Sequence, residues 1–294
     1  MKVLSGALLG LALAARLGVS YSQTPAQEPD WNRPVEPFRI IGNIYYVGTN
    51  ELGAYLLKTP EGAILVDGGL PQSAQLIAHS IEAIGVPLGS VKILVTTQAH
   101  FDHVGSLAEL AQKTGGRVMV MAGDAELVEK GGHGDYLFGD SMAFPPVKVG
   151  EVLHDGSTIT LGGTTLVAHL TPGHSRGCTT WTLKAQDNGK TYDVVIIGSF
   201  GTNPGFQLVN NADVPDIAGE FERAFKVAHA LPCDVPLGSH PAMYNLDEKY
   251  ARLEKGGPNP FIDPAGYQLE VDIAEAMFRA VLAEQQKAAA ARQR

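Results

Sequence analysis

The chain has 294 residues, of which 45% are hydrophobic and 18% charged, and its formal net charge is −9. This composition is that of an ordinary globular protein, and the length suits one large α/β domain. Because nucleic acids and anionic lipid surfaces are bound through basic side chains, the negative charge argues against both kinds of partner.

The N-terminal segment has the pattern of a cleavable signal peptide. Lys2 precedes an apolar run over residues 3–15, and small residues follow that run. We therefore predict a signal peptide over residues 1–22, with cleavage after Ala26 as a second option, and a polar linker over residues 23–37. The apolar run is too short to span a membrane permanently. We expect a periplasmic or secreted protein that has no membrane partner after cleavage.

Residues 38–294 are predicted to form a single α/β domain with two similar halves. In the first half, β-branched runs predict strands, and apolar residues spaced by three and four predict helices. The predicted elements are a hairpin over 38–48, a hairpin over 54–67, a helix over 71–84, a strand over 91–97, a helix over 106–114 and a strand over 118–122.

A long stretch over residues 131–146 separates the two halves. It contains Gly, Pro and aromatic residues without periodicity, and loops of this length are often functional. Strand patterns then resume between Asp-Gly, Gly-Gly and Asn-Gly turns. The predicted elements are strands over 150–152, 157–161, 164–169, 179–184 and 192–197, a helix over 217–230, a strand over 234–237 and a helix from 269 to about 290.

The chain has two cysteines, Cys178 and Cys233. In an exported protein the two thiols can form a disulfide. They can equally be two small buried side chains, because each lies in an apolar segment. Their spacing does not decide between these alternatives.

Metal-ligating side chains follow three of the predicted strands. The segment Gln98-Ala-His100-Phe-Asp102-His103 comes directly after the strand over 91–97, and two further histidines follow later strands. Loops at strand ends gather at one edge of an α/β sheet, where ligands bind. Imidazole and carboxylate groups are usual ligands of zinc. The sequence therefore predicts a zinc site at this edge, held by His100, Asp102, His103, His174 and His240.

These motifs resemble those of the metallo-β-lactamase superfamily. Four of them occur in the order and spacing of that family: Asp67-Gly-Gly, Gln98-Ala-His-Phe-Asp-His, Thr171-Pro-Gly-His and Ser239-His-Pro. The resemblance implies a four-layered αββα sandwich with the metals at one edge of the paired sheets. It also implies that Asp67 is a buried residue that orders the metal-binding loops.

The residue after the predicted strand over 192–197 distinguishes branches of this superfamily. Glyoxalase II-like and lactonase-like hydrolases have a metal-bridging Asp there, and the first subclass of zinc β-lactamases has a ligating Cys. This chain has Ser199, which resembles the third subclass of zinc β-lactamases. The resemblance implies a zinc-dependent hydrolase that opens the β-lactam ring of a small-molecule antibiotic through metal-bound hydroxide.

Site roles follow from the same resemblance. Asp102 is expected to orient the attacking water and to take up its proton. Donors for the substrate carboxylate are expected at Ser199, Thr202 and Asn203. Two aromatic residues of the long loop, Tyr136 and Phe138, are expected to cover the substituents of the substrate ring.

Gln98 departs from the usual family motif, which has His at that position. The expected first site consists of Gln98, His100 and His174, and the expected second site consists of Asp102, His103 and His240. An amide oxygen is a weaker zinc ligand than imidazole. We therefore predict one or two zinc ions, with the second site binding more tightly.

Two alternatives remain open. One is a hydrolase of the same fold that acts on lactones or thioesters, which the missing bridging Asp disfavours. The other is a non-catalytic zinc-binding protein in which Gln98 marks decay of the site. The retention of all the other ligands and of Asp67 argues against decay.

Overall fold

The structure is a computed structural model that describes residues 31–292. The predicted signal peptide and the predicted linker up to residue 30 lie outside the described residues. Residues 31–37, which were also assigned to the linker, contact the domain. Pro34 forms a β-bridge with Thr49, and the Thr49 hydroxyl donates to the Trp31 carbonyl at 2.6 Å.

Seven strands form the first sheet: β1 (Phe38–Ile41), β2 (Ile44–Tyr46), β3 (Tyr55–Thr59), β4 (Gly62–Val66), β5 (Val91–Val95), β6 (Arg117–Met121) and β7 (Glu151–Leu153). They lie in sequence order across the sheet. The first four pair antiparallel, and β4 to β7 pair in parallel. The central strands β4 and β5 are almost continuously apolar because both faces of the sheet are covered.

Five strands form the second sheet: β8 (Thr158–Leu161), β9 (Thr164–Leu170), β10 (Thr179–Asp187), β11 (Lys190–Ile197) and β12 (Val235–Gly238). Their order is β12-β11-β10-β9-β8. All neighbours pair antiparallel except β11 and β12, which pair in parallel. The chain returns to β12 through a helical crossover, as a parallel pair requires.

Within residues 31–292, seven α-helices flank the sheets: α1 (Ala74–Ala83), α2 (Phe101–Val104), α3 (Leu107–Thr114), α4 (Ala122–Glu129), α5 (Ile217–Ala230), α6 (Leu246–Glu254) and α7 (Pro264–Arg292). One buried cluster joins the facing sides of the two sheets, with Trp181 as its largest member. A second cluster packs α1 and α3 on the outer face of the first sheet. A third packs α5 and α7 on the second sheet. These three clusters separate four layers, which confirms the predicted αββα sandwich.

Several elements differ from the sequence-based expectations. Helices α2, α4 and α6 were not predicted, and α7 begins at Pro264 instead of Leu269. Among residues 31–292, even the longest helix lacks the apolar stretch that a membrane crossing needs. The thiols of Cys178 and Cys233 are both free, so the structure has the two cysteines as separate small side chains.

Candidate metal centre

At the end of β5, hydrogen bonds join the first sheet to the second. The Thr179 N–H donates to the Thr97 carbonyl at 2.7 Å. The indole N–H of Trp181 donates to the Thr96 carbonyl at 2.9 Å. The short helix α2 follows at once, and it carries Asp102 and His103. One backbone and one side-chain hydrogen bond from the second sheet thus hold the segment that bears four of the predicted ligands.

Asp67 holds this loop from the first sheet. It follows β4 with a positive φ of 61°, a conformation that a non-glycine residue adopts at a cost and that its surroundings must maintain. Its two carboxylate oxygens accept from the N–H and the hydroxyl of Thr97, at 2.7 and 2.6 Å. One of them also lies 3.6 Å from His103 Nδ1. The structure therefore places the fully buried Asp67 behind the metal-binding loop.

Asp102, His103 and His240 lie close enough together to form one candidate half-site. One ligand atom of each lies within 4.8 Å of the other two. The carboxylate of Asp102 is 3.2 Å from His103 Nε2 and 3.6 Å from His240 Nε2. A carboxylate and two imidazoles match the three protein ligands that catalytic zinc commonly has. We call this group the aspartate half-site.

Gln98, His100 and His174 belong to the other group of predicted ligands, which we call the glutamine half-site. His100 Nδ1 lies 3.2 Å from His174 Nε2, so these two imidazoles converge. Gln98 is fully buried. Within residues 31–292, neither its amide oxygen nor its amide nitrogen has a hydrogen-bond partner. Buried polar groups are normally paired, so this orphaned amide is a candidate metal ligand.

Each of the four histidines turns its outer ring nitrogen toward an acceptor. His174 Nδ1 is 2.8 Å from the Gly201 carbonyl, and His240 Nδ1 is 3.1 Å from the Glu51 carbonyl. His103 Nδ1 faces Asp67, and His100 Nε2 faces a carboxylate oxygen of Asp135 at 3.5 Å. Such acceptors select the tautomer and the orientation of metal-binding imidazoles. The inner nitrogens are left to face the two half-sites.

The charges of the site favour metal binding. Burial and the nearby His100 ring lower the pKa of His174 to about 3. Burial and His103 also lower the pKa of His240. Burial opposes ionisation of Asp102, but His103 and His240 outweigh it and hold its pKa below the usual range. Neutral imidazole and ionised carboxylate are the forms that bind zinc.

The pKa of His103 is raised, unlike those of His174 and His240, because two carboxylates lie beside its ring. Burial alone lowers its pKa, but Asp102 and Asp67 outweigh burial and raise it to about 10. The same two carboxylates attract any cation at this position. A metal ion can therefore take the place of the His103 proton.

The long loop of residues 131–146 covers the glutamine half-site. The edge of the Phe138 ring meets the His100 ring, with centroids 5.2 Å apart. The Tyr136 hydroxyl lies 2.6 Å from the Gly173 carbonyl and 2.8 Å from that of His174. The Tyr136 ring packs against Phe206. Phe138 thus lies beside a predicted ligand, whereas Tyr136 fastens the loop to the backbone next to His174.

The three predicted carboxylate donors lie after β11, beside His174. Ser199 is buried, and its hydroxyl accepts from the Gly201 N–H at 3.3 Å. Gly201 lies beside the side chains of Ser199, Asn203 and His174. A Cβ atom at this position would be within 4 Å of all three. Thr202 and Asn203 are half-buried. The segment therefore places hydroxyl and amide groups around Gly201, next to the glutamine half-site.

Sequence reasoning missed two buried carboxylates in this region. Asp124, at the start of α4, accepts from the Ser175 hydroxyl and the Gly177 N–H, both at 2.7 Å. Asp135 lies in the long loop and faces His100. Asp124 contacts residues next to His174, and Asp135 faces His100; both contacts join positions that are distant in sequence, so no local spacing reveals them. For Asp135, the sequence offers one signal, an acidic residue within a Gly-rich, aperiodic loop.

Comparison with protein families gives one match to this chain. Residues 54–187 match the model of the metallo-beta-lactamase superfamily. This range includes Asp67 and five of the six predicted ligands, and it ends before His240.

Solved structures resemble the fold over nearly its whole length. The FEZ-1 metallo-beta-lactamase from Legionella gormanii has a TM-score of 0.85 and 44% identity, covering 87% of this chain and 98% of that one. A metallo-beta-lactamase of Cronobacter sakazakii with a HARLDQ motif has a TM-score of 0.85 and 36% identity, covering 89% and 94%. BJP-1, a subclass B3 metallo-beta-lactamase of Bradyrhizobium japonicum, has a TM-score of 0.83 and 36% identity, covering 89% and 99%.

Curated relatives in Bacillus subtilis (strain 168) match over shorter stretches. The uncharacterized protein YobT is 32% identical over 133 residues, which are 43% of this chain and 54% of YobT. The probable metallo-hydrolase YflN is 29% identical over 72 residues, 24% of this chain and 25% of YflN. The chain thus matches about half of the first relative and a quarter of the second.

Proposed function

The chain belongs to the metallo-β-lactamase superfamily, and from this we propose that it is a zinc-dependent hydrolase that opens the β-lactam ring of antibiotics. One observation carries the proposal. Four histidines and Asp102 converge on one edge of a sandwich that is 44% identical to the FEZ-1 metallo-beta-lactamase over 98% of that enzyme.

The residues present fit zinc. Both amide atoms of Gln98 and both ring nitrogens of His103 are buried without a hydrogen-bond partner in the described part of the chain. Leaving such groups unpaired costs about 1–3 kcal/mol each, and metal coordination would relieve this cost at the Gln98 oxygen and at one nitrogen of His103. Zinc bound here supplies Lewis-acid chemistry, lowering the pKa of water to about 7 and so providing a nucleophile at neutral pH.

We assign the proton-handling role to Asp102. Its carboxylate is ionised and lies within 3.6 Å of His240 Nε2 in the aspartate half-site. A carboxylate at this position accepts a hydrogen bond from the attacking water, orients it and takes up its proton. Asp102 is buried with only a small exposed fraction, so bulk water does not compete for this role.

Substrate binding is assigned to the segment after β11 and to the long loop. Ser199, Thr202 and Asn203 offer hydrogen-bond donors to the carboxylate that β-lactams carry next to the ring. Phe138 offers an apolar surface beside His100. The Tyr136 hydroxyl is engaged by two backbone carbonyls, so we assign Tyr136 to holding the loop in place and Phe138 to contact with the substrate.

We further propose that the two half-sites bind zinc unequally. The aspartate half-site has one carboxylate and two imidazoles, whereas the glutamine half-site has two imidazoles and a neutral amide. A charged ligand partly neutralises the divalent ion, and an amide oxygen is a weaker ligand than imidazole. One ion is therefore held firmly, and the other exchanges more readily.

The test is β-lactam hydrolysis by the purified protein, followed spectrophotometrically with and without a chelator. We expect turnover that is lost on exhaustive metal removal and restored by zinc. Full activity in the metal-free protein contradicts the proposal. Rapid hydrolysis of lactones or thioesters without β-lactam turnover favours the other hydrolases of this fold, and zinc binding without any turnover favours a non-catalytic zinc-binding protein.

Export from the cytoplasm is part of the proposal. It is supported by Lys2, the apolar run over residues 3–15 and the small residues that follow. Mass spectrometry of the native protein is expected to find a mature chain that begins near Gln23 or Gln27. A mature pool that retains Met1 contradicts export by this route.

A further inference from the structure

Asp135 is a buried acid in the middle of the long loop, and its two oxygens have different surroundings. Oδ1 accepts from the Leu137 N–H at 2.8 Å and from the Phe138 N–H at 2.7 Å. Oδ2 has no hydrogen-bond partner within residues 31–292. Only 8% of the residue is exposed, so water is nearly excluded from the unpaired oxygen.

The unpaired oxygen faces the unpaired nitrogen of His100. His100 Nε2 is also buried and without a partner among the described residues, and it lies 3.5 Å from Asp135 Oδ2. This is roughly 0.5 Å longer than an ordinary N–H to oxygen hydrogen bond. The imidazole nitrogen can donate a hydrogen bond and the carboxylate oxygen can accept one. A small movement of either side chain would therefore bring them to hydrogen-bond distance.

The other ring nitrogen of His100 faces the glutamine half-site, because Nδ1 lies 3.2 Å from His174 Nε2. A proton on Nε2 therefore leaves the Nδ1 lone pair free for a metal. Metal-binding histidines usually donate their second ring N–H to a carboxylate or carbonyl, which fixes the tautomer and makes the ring a stronger ligand. His174 and His240 already have such an acceptor in the Gly201 and Glu51 carbonyls, and His103 Nδ1 faces the Asp67 carboxylate at 3.6 Å.

We propose that Asp135 is the positioning residue for His100, so that the long loop supports the glutamine half-site by holding one of its imidazoles as the Nε2–H tautomer. The proposal rests on the proposed function, since it assigns a role within the same metal centre. The loop that carries Phe138 over the site then also controls metal binding beneath it. This support matters most at a half-site where Gln98 replaces an imidazole.

Asp135 has two contacts, one with the backbone of its own loop and one with His100. The substitution Asp135→Asn can keep the first and remove the second. The asparagine has the same shape, but it has only one acceptor oxygen. If that oxygen keeps the two backbone N–H donors, its NH₂ group faces the Nε2–H of His100, and two donors repel. Asp140→Asn is the matched control, because Asp140 caps the same loop through the Gly134 N–H but is exposed, and the histidine that it contacts is His133, which is not one of the predicted ligands.

The metal-free proteins are titrated with zinc, and the affinity of each half-site is measured by calorimetry. For Asp135→Asn we expect zinc binding at the glutamine half-site to weaken about ten- to a hundredfold, as removal of such an acceptor usually does. Binding at the aspartate half-site is expected to stay unchanged, and Asp140→Asn is expected to match the unmutated protein at both. Unchanged affinity at the glutamine half-site, or equal losses at both half-sites, overturns the proposal.

A second readout needs no catalysis, and the unmutated protein alone can overturn the proposal. In the zinc-loaded, ¹⁵N-histidine-labelled protein, we expect the His100 Nε2–H proton to be visible by NMR and to exchange slowly. It should persist in Asp140→Asn and disappear in Asp135→Asn. If Asp135→Asn does not fold, absence of this proton in the unmutated protein overturns the proposal by itself. Failure of the proposed function would appear separately, as an unmutated protein that binds zinc at both half-sites but leaves β-lactams intact.

Discussion

The amide of Gln98 is expected to lower the stability of the metal-free protein. Both of its polar atoms are buried and unpaired within the described residues, and an orphaned buried group costs about 1–3 kcal/mol. Gln98→Leu removes both groups and keeps a side chain of similar size. Allowing for imperfect packing, we expect the metal-free variant to be more stable by about 2 kcal/mol, which raises Tm by roughly 4–8 °C in a domain of this size.

In excess zinc, we expect the unmutated protein to be more stable than Gln98→Leu. A ligand at a hundred times its Kd stabilises the folded state by about 2.7 kcal/mol, and Gln98→Leu lacks one donor of the glutamine half-site. The assay is thermal unfolding of both proteins, once in chelator and once in excess zinc. Gln112→Leu, an exposed change on α3, is the control and should alter stability by no more than about 0.5 kcal/mol in either condition. Destabilisation of metal-free Gln98→Leu would refute the reasoning, since it would mean that the amide already has partners within the protein.

Further predictions concern the same half-sites and one distant ion pair. Gln98→His should tighten zinc binding at the glutamine half-site without altering the fold, and two indistinguishable tight steps in a calorimetric titration of the unmutated protein would contradict the unequal affinities. Asp102→Asn should reduce kcat by roughly a hundredfold or more while far-UV circular dichroism stays unchanged; a variant with near-normal kcat would exclude Asp102 from proton handling. Asp263 forms an ion pair with the buried Lys249, whose Nζ lies 2.9 Å from Asp263 Oδ2, and this contact outweighs burial and lowers the Asp263 pKa. A lowered carboxyl pKa stabilises the fold above its ordinary value near 4 and ceases to do so as the pH falls through the lowered value. Asp263→Asn should therefore lower Tm at pH 7, and the difference from the unmutated protein should shrink below pH 4; a constant difference would contradict this.

Much of the fold followed from periodicity and turn residues, and the exceptions have physical reasons. Helix α4 follows β6 without any break, and it contains Gly123 in its first turn, so neither a turn nor a helix start marks it. Helix α2 has four residues, fewer than periodicity can reveal. Helix α7 begins at Pro264 because proline suits the first helical turn, although the apolar spacing that predicted it starts later.

The metal centre was partly predictable for a different reason. Ligands that follow strand ends, such as His100 and His174, can be located once the strands are known, because strand ends share one edge of the sandwich. Asp124 and Asp135 act across the fold, and the distances from them to Ser175 and His100 exist only after the two sheets have packed together. Residues that orient ligands are therefore harder to find by sequence than the ligands themselves.

Each half-site takes its ligands from both halves of the chain. Gln98, His100, Asp102 and His103 follow β5 of the first sheet, whereas His174 and His240 follow β9 and β12 of the second. Neither half alone holds a complete set of the proposed ligands, so we expect tight zinc uptake only in a protein whose two sheets have docked in the correct register. A chain that has formed both sheets but joined them wrongly should bind less zinc than the finished protein, and its zinc content should distinguish the two.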